Sequence, residues 1–564
     1  MAKTAIQALR RLEALRLVFS SVSGMEKIAL LRSIHRSRLS SLPTVVRLHE
    51  QLCFMRAYPD DRALLAQVVS MLEGFERRGD VRQHVASLED SGIAGTRIRY
   101  RFYWATLHRL AAWWPERLFI DWDALEDCAN LAAALPLLAT SNEAVWLRQG
   151  AASEHPHFAR TAIATMNGKT RPDGTFLARR IQAMAGDDFT REVFADALDT
   201  PMYIEPGADT PSRTKACHAV SPPYFFTQAL RHGRPDVVTE LDRPPRSIRL
   251  TSEKEGEAIL KLATGALVTR SRDIDGIAYG NTKDIWMVDD GAGLFWAFIG
   301  LVPERRQVLR ASHGFVTLRN GVPIGYGQMD TLFGCADVSF NSFDTFRGAE
   351  TAWIFVRLLA ATRALLGARA FTLDGYQLGH HNEEAIASGA WWFYYKLGFR
   401  PRSAAIRQLA AREAERAKTQ KDYRSSSVML RRLAADEMVF ETKGVHAPHW
   451  PRLGILGEKV ARLLACHPSG DRQAALHELT RASMKMLGKP RQSVISANRP
   501  EVLQVMQNWA PILKLIGAQS WSRAEKTALG RLIAAKAGAS EREFLALFDA
   551  HPRLSTALRA QMRA

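Results

Sequence analysis

Four consecutive pieces of sequence decide the fold: ADVSFNSF at 336–343, DTFRGAETA at 344–352, AFTLDGYQLG at 370–379 and WWFYYKLGFRP at 391–401. The first and third read as strands. Between them AWIFVRLLAATRALLG, residues 352–367, spaces its apolar side chains as a helix does. The fourth is a helical run of aromatics that Gly398 stops before a further strand. The order is strand, glycine-bearing turn, helix, strand, tyrosine-ended helix.

Upstream, KDIWMVDD (283–290) and GLFWAFIGLV (293–302) read as strands, followed by HGFVTLRNGVPIGYGQMDTLF (313–333). In that last run Asn320 and Gly321 supply the positive backbone angles of a type I′ turn, so a hairpin is expected. Ser252 with Glu255 offers a capping box ahead of AILKLATGALV, marking a helix start. Downstream, a basic helical stretch leads to SSSVMLRRL (425–433), read as a strand.

The flanks have a different texture. IQALRRLEALRLVF, MEKIALLRSI and RALLAQVVSMLEGFERR place aliphatics at helical spacing, so residues 1–150 are expected to form a helical domain. Residues 151–250 are punctuated by PDG, SPP and RPPR and read as a mixed, loop-rich connection or subdomain. Residues 251–435 form the α/β region. From 450 to 564 the pattern is helical again, with capping boxes expected at Ser522/Glu525 and Ser540/Glu543. The fold class that follows is α/β (α+β), a central mixed sheet with helices between mostly helical flanks. A length of 564 residues, at about 150 per domain, agrees with several units.

Composition narrows the class. With 47% apolar and 24% charged residues the chain is globular in character, not disordered. The net charge of +18 favours anionic partners but decides nothing until it clusters. It clusters in two places. Residues 402–432 hold nine Lys/Arg against three acids, and the stretch from Thr96 to Trp114 interleaves Arg97, Arg99 and Arg101 with aromatics. Both are candidate nucleic-acid contacts, and both are also what a solvated helix or strand face looks like. Five scattered cysteines without a C-x-x-C pair argue against a disulfide framework or zinc module and fit a reducing, cytoplasmic setting. An Arg-rich N-terminus leaves a mitochondrial presequence as the alternative. No apolar run reaches the roughly 18 residues of a spanning helix. His155, His157, Cys217 and His218 match no zinc spacing, so no metal is expected.

The 336–401 order resembles the acyl-CoA-binding half of the GNAT N-acyltransferase family, and Tyr394–Tyr395–Lys396–Leu397–Gly398–Phe399 is similar to that family's Y-x-K-L-G-F run. The resemblance covers about residues 250–435. It implies a GNAT-like sheet, an acyl-CoA co-substrate (acetyl-CoA or longer), and transfer of the acyl group to an amine on a small molecule or protein. The thioester's diphosphate would rest on the turn Thr345, Phe346, Arg347, Gly348 and Ala349, because bare amides and a positive dipole end face an anion there. Tyr394 takes the position of the acid that protonates the departing sulfur. Asn382 resembles the family's cofactor-contacting asparagine, although it lies twelve residues before Tyr394, farther than is usual. Asp337, on the strand before the turn, and Asp374, on the strand after the helix, are the candidate bases.

Two departures accompany the likeness. Family members that bind acetyl-CoA usually begin the phosphate turn with Gln or Arg and end it with Gly or Ala; here those positions are Thr345 and Glu350. A carboxylate at that point suits a helix start but repels a diphosphate placed against it. Two other functions stay open: a Fem-like transferase that takes aminoacyl groups from charged tRNA, and a non-catalytic nucleic-acid-binding scaffold with a relic GNAT fold. Oligomeric state is not legible.

Overall fold

The computed structural model describes residues 2–39, 41–151, 157–168, 170–442, 453–468, 470–488 and 500–563. His155 lies outside them. By its internal contacts the chain divides into two units, one of residues 1–230, 257–279 and 318–324, the other of 231–256, 280–317 and 325–564.

The first unit opens with four helices, Ala2–Ala14, Ser21–His35, Leu42–Ala57 and Arg62–Glu73. Their apolar stripes close on one core that includes Leu9, Leu31, Leu48 and Val68. Inside it Lys27 meets Asp60 at 2.7 Å with both side chains buried, and the ammonium also donates to the Val18 carbonyl. A buried charge is tolerable only with such partners. A second core gathers Trp104, Leu110, Ile163 and Ile181 around a three-stranded sheet. In that sheet Met202–Ile204 lies between Ile98–Tyr100 and Leu118–Ile120, antiparallel to both.

The hairpin tip at 318–324 belongs to this unit. Asn320 (φ 48) and Gly321 (φ 78) make the two-residue turn expected from the sequence. Gly321 has a second reason to be glycine: a Cβ there would sit 1.8 Å from the His218 carbonyl oxygen. That closeness follows from the 2.8 Å hydrogen bond that His218 N–H donates to the Gly321 carbonyl.

The second unit is built on a nine-stranded mixed sheet, and the chain is of the mixed α/β class. In spatial order the strands are Arg400–Pro401, Met438–Glu441, Ala370–Leu373, Cys335–Ser342, Val322–Leu332, Ala311–Arg319, Leu294–Leu301, Gly280–Gly291 and Ser247–Leu250. One pairing is parallel, that of the Cys335 and Ala370 strands. The crossover between them is the helix Thr351–Leu366, the type of link that a parallel pair requires. That helix is apolar around most of its girth and almost wholly buried. Its single buried charge, Arg357, donates from Nε to Asp290 at 2.9 Å and from Nη1 to the Glu240 and Arg243 carbonyls.

The described residues of 453–468, 470–488 and 500–563 are mainly helical. Arg306 donates to the carbonyls of Lys536 (2.9 Å) and Gly538 (2.6 Å), while Lys536 Nζ donates to the Arg310 carbonyl at 2.6 Å. These bonds fasten the C-terminal helices to the sheet. Ser522 and Glu525 form the full reciprocal box. Ser252 accepts from Glu255 N–H at 3.2 Å, and Ser540 accepts from Arg542 N–H.

One local expectation is corrected. Residues 425–433 are not a strand; Ser427–Leu433 is a helix, because Ser426 caps it by accepting the Met429 amide at 3.2 Å. The strand that follows is Met438–Glu441, which pairs antiparallel with both Ala370–Leu373 and Arg400–Pro401.

Candidate functional site

The parallel pair at the centre of the second unit's sheet comes apart. The rungs run Ala370↔Cys335, Phe371↔Ala336 and Thr372↔Asp337, and there they stop. The Cys335 strand continues to Ser342, still paired on its other side with Gly325–Leu332. The Ala370 strand ends at Leu373 because Asp374 turns the chain into the short helix Gly375–Leu378, its carboxylate accepting from Tyr376 N–H at 2.8 Å. Beyond the last rung a cavity of about 400 Å³ opens, lined by Phe340, Asn341 and Ser342 of the free strand end, by Gln377, and by Tyr394. Gln377 reaches over to donate to Ser339 Oγ at 3.0 Å.

The turn before the Thr351 helix borders the cavity. Arg347, Gly348 and Ala349 line it, as do Thr351 and Ala352 in the first helical turn, where amides lack intrahelical acceptors. Gly348 holds φ 79, and a Cβ there would meet no atom within 4 Å, so the backbone faces open space. Thr345 and Phe346 are buried beneath the turn and are not among the lining residues. Arg347 is exposed and already engaged, with Asp344 and Glu384 each at 2.8 Å and the Ser342 carbonyl at 3.2 Å.

Glu350 is 6% exposed, does not line the cavity, and accepts the Arg231 backbone N–H at 3.4 Å. The unfavourable carboxylate is therefore turned away from the space where an anion would sit.

Tyr394, 3% exposed, also lines the cavity. Its ring packs edge-on against Phe355 at 5.2 Å and Phe393 at 5.0 Å. Burial holds the phenol above its ordinary pKa, so it keeps its proton. Trp391 stacks on Tyr395, and Trp392 meets both edge-on, as core aromatics do. Gly398, at φ 105, carries the chain out of the helix.

The remaining candidates, Asn382, Asp374 and Asp337, sit on three different elements. Asn382 is not on the helix that carries Tyr394. It caps a separate helix, Glu383–Ser388, accepting from Ala385 N–H at 3.1 Å, and Gly389 in the left-handed region divides this from Ala390–Lys396. The longer spacing to Tyr394 is absorbed by that extra helix, and Asn382 still lines the cavity. Asp374 is a helix cap beyond its strand, with its carboxylate committed to a backbone amide. Asp337 is half-buried at the last rung and accepts from Thr372 Oγ1 at 2.8 Å. Burial pushes its carboxyl up to about 7 against the opposing hydrogen bond, with Asp330 directly across the sheet adding to the rise. Asp337 lies four residues along the strand from Asn341, about 13 Å at the rise of an extended chain, so it does not touch the cavity.

Arg231, His232 and Gly233 also line the cavity, and no motif marks them. They come from the loop-rich segment upstream of the region carrying the family likeness. Proximity to the Thr351 helix is their only claim, and no local pattern encodes it.

The three interleaved arginines of the first basic stretch are all paired, and the second stretch is paired in part. Arg97 meets Glu205 at 2.6 Å, Arg99 meets Asp90 at 2.9 Å and Arg101 meets Asp199. In the second stretch Arg402 meets Glu437, Arg416 meets Glu413 at 3.2 Å and Arg431 meets Glu383 at 2.8 Å. Among the described residues there is no cluster of three or more His, Cys, Asp or Glu placed to hold a metal, and no helix long and apolar enough to cross a membrane. No family model, curated protein or solved structure matches the chain.

Proposed function

We propose that the second unit is an N-acyltransferase that moves an acyl group from an acyl-CoA thioester to an amine. The observation that carries this reading is the cleft where the Cys335 and Ala370 strands part, whose wall includes both a helix start and Tyr394. A diphosphate fits the first and a thioester sulfur the second. In the reaction the amine nitrogen attacks the thioester carbonyl, the carbon–sulfur bond breaks, and Tyr394 gives its proton to the sulfur. The tyrosinate recovers a proton from the amine nitrogen through water in the cleft, so no separate base is required. Burial keeps the phenol protonated, as the donor step needs, while making it a weaker acid than an ordinary tyrosine.

Isothermal titration with acetyl-CoA and with longer acyl-CoAs tests this. Saturable heat with at least one of them is expected. Absence of heat with all of them rejects a CoA enzyme, and RNA co-purifying with a CoA-silent protein would point to the aminoacyl-tRNA donor instead.

A further inference from the structure

The weak point of an acyl-CoA site here is the phosphate turn: Thr345 is buried, Glu350 is an acid, and Arg347 alone supplies positive charge, shared with the exposed carboxylates of Asp344 and Glu384. Further positive charge is supplied from elsewhere in the fold. Arg231 and His232 line the same cavity as Gly348 and Ala349, although they precede the sheet in sequence. Their position is fixed by the residue that looked most damaging. Glu350 accepts the Arg231 amide, and the Arg231 guanidinium lies 4.5 Å from the centroid of Trp353 in the first turn of the same helix. Glu350 thus staples the 231–233 loop to the helix start.

The charges in this wall favour an anion. Glu384 is the one carboxylate in the lining, and it faces Arg347 at 2.8 Å. Arg231 is paired with Glu240 at 3.0 Å, but its side chain is 59% exposed. A pair that open holds a guanidinium weakly and leaves it able to turn toward a ligand. His232 is exposed and has no hydrogen bond or ion pair to any described residue.

We propose that Arg231 and His232 form a jaw that grips the diphosphate of the acyl donor against the amides at the start of the Thr351 helix, adding to the one charge the turn itself offers. This rests on the acyl-CoA reading of the cleft and adds to it the element that recognises the anionic end.

The test compares acetyl-CoA with acetyl-pantetheine, which carries the same thioester and no diphosphate, by titration of wild type, Arg231→Ala, Arg231→Lys and His232→Ala, with melting temperatures taken alongside. Each alanine variant should bind acetyl-CoA about tenfold more weakly or worse, the loss expected of a charge-assisted bond. Binding of acetyl-pantetheine and the melting temperature should stay at wild-type values, and Arg231→Lys should recover part of the loss. If the variants bind acetyl-CoA as wild type does, the jaw is refuted while the donor assignment stands. Equal loss for both ligands also refutes it, since the substitutions would then be deforming the cleft. If wild type binds neither compound, the donor assignment fails and the jaw falls with it.

Discussion

Thr372 Oγ1 donates a 2.8 Å hydrogen bond to Asp337 Oδ1 on the last rung at which the two parallel strands are joined. The bond sits where the sheet begins to open, between a strand that continues and one that a capping aspartate ends one residue after Leu373. A carboxyl raised to about 7 at that point couples the stability of the opening to pH.

The sign of the coupling follows from proton counting. Between about pH 4 and about pH 7 the folded chain retains a proton on Asp337 that the unfolded chain has released, so stability declines as pH rises through that window. Asp337→Asn should flatten the decline by about 2 kcal/mol, allowing for screening of a half-buried group. Urea unfolding at about pH 4 and about pH 8 measures it; parallel profiles for wild type and variant would remove Asp337 as the titrating group.

Tyr394→Phe keeps the ring that packs on Phe355 and removes only the hydroxyl. Acyl transfer should drop about 100-fold in kcat, in the range of lost acid catalysis, with acyl-CoA affinity within about twofold of wild type. A variant with undiminished kcat would show that sulfur leaves without this proton.

Gly348→Ala separates conformation from crowding. The added methyl meets nothing, so its cost comes from holding alanine at φ 79, about 1 kcal/mol of stability. Because that residue lines the cavity, acyl-CoA binding should weaken as well. A thermal melt and titration that both match wild type would contradict the turn geometry.

Arg357→Ala leaves the Asp290 carboxylate buried with only Arg243 near it, at 3.1 Å, and opens a void under the crossover helix. A loss of about 3–5 kcal/mol is expected. The pair replacement Arg357→Met with Asp290→Leu should recover most of it, since neither charge is then stranded. Chemical denaturation of the two proteins decides; equal losses would mean that the pair itself, not the orphaned acid, carries the stability.

The strands at 280–332 and the aromatic helix before Gly398 were readable because each is set by neighbours in sequence: Asn320–Gly321 can make a hairpin turn unaided, and apolar spacing marks a helix whatever lies above it. The misread element is one where a side chain spends its hydrogen bond on the backbone. Ser426 makes a helix of a stretch rich in strand-compatible residues.

The chain's own pattern therefore determined a mixed sheet with a helical crossover at 351–366, and it marked Arg347, Gly348, Ala349, Asn382 and Tyr394, all of which line one cavity. Tertiary structure alone decided that two strands part after the third rung, that Glu350 turns from the cavity to hold Arg231, and that a loop from upstream forms one wall. Periodicity and turn chemistry are local, extending over a few residues, whereas the wall of a cleft is assembled by packing between segments more than a hundred residues apart.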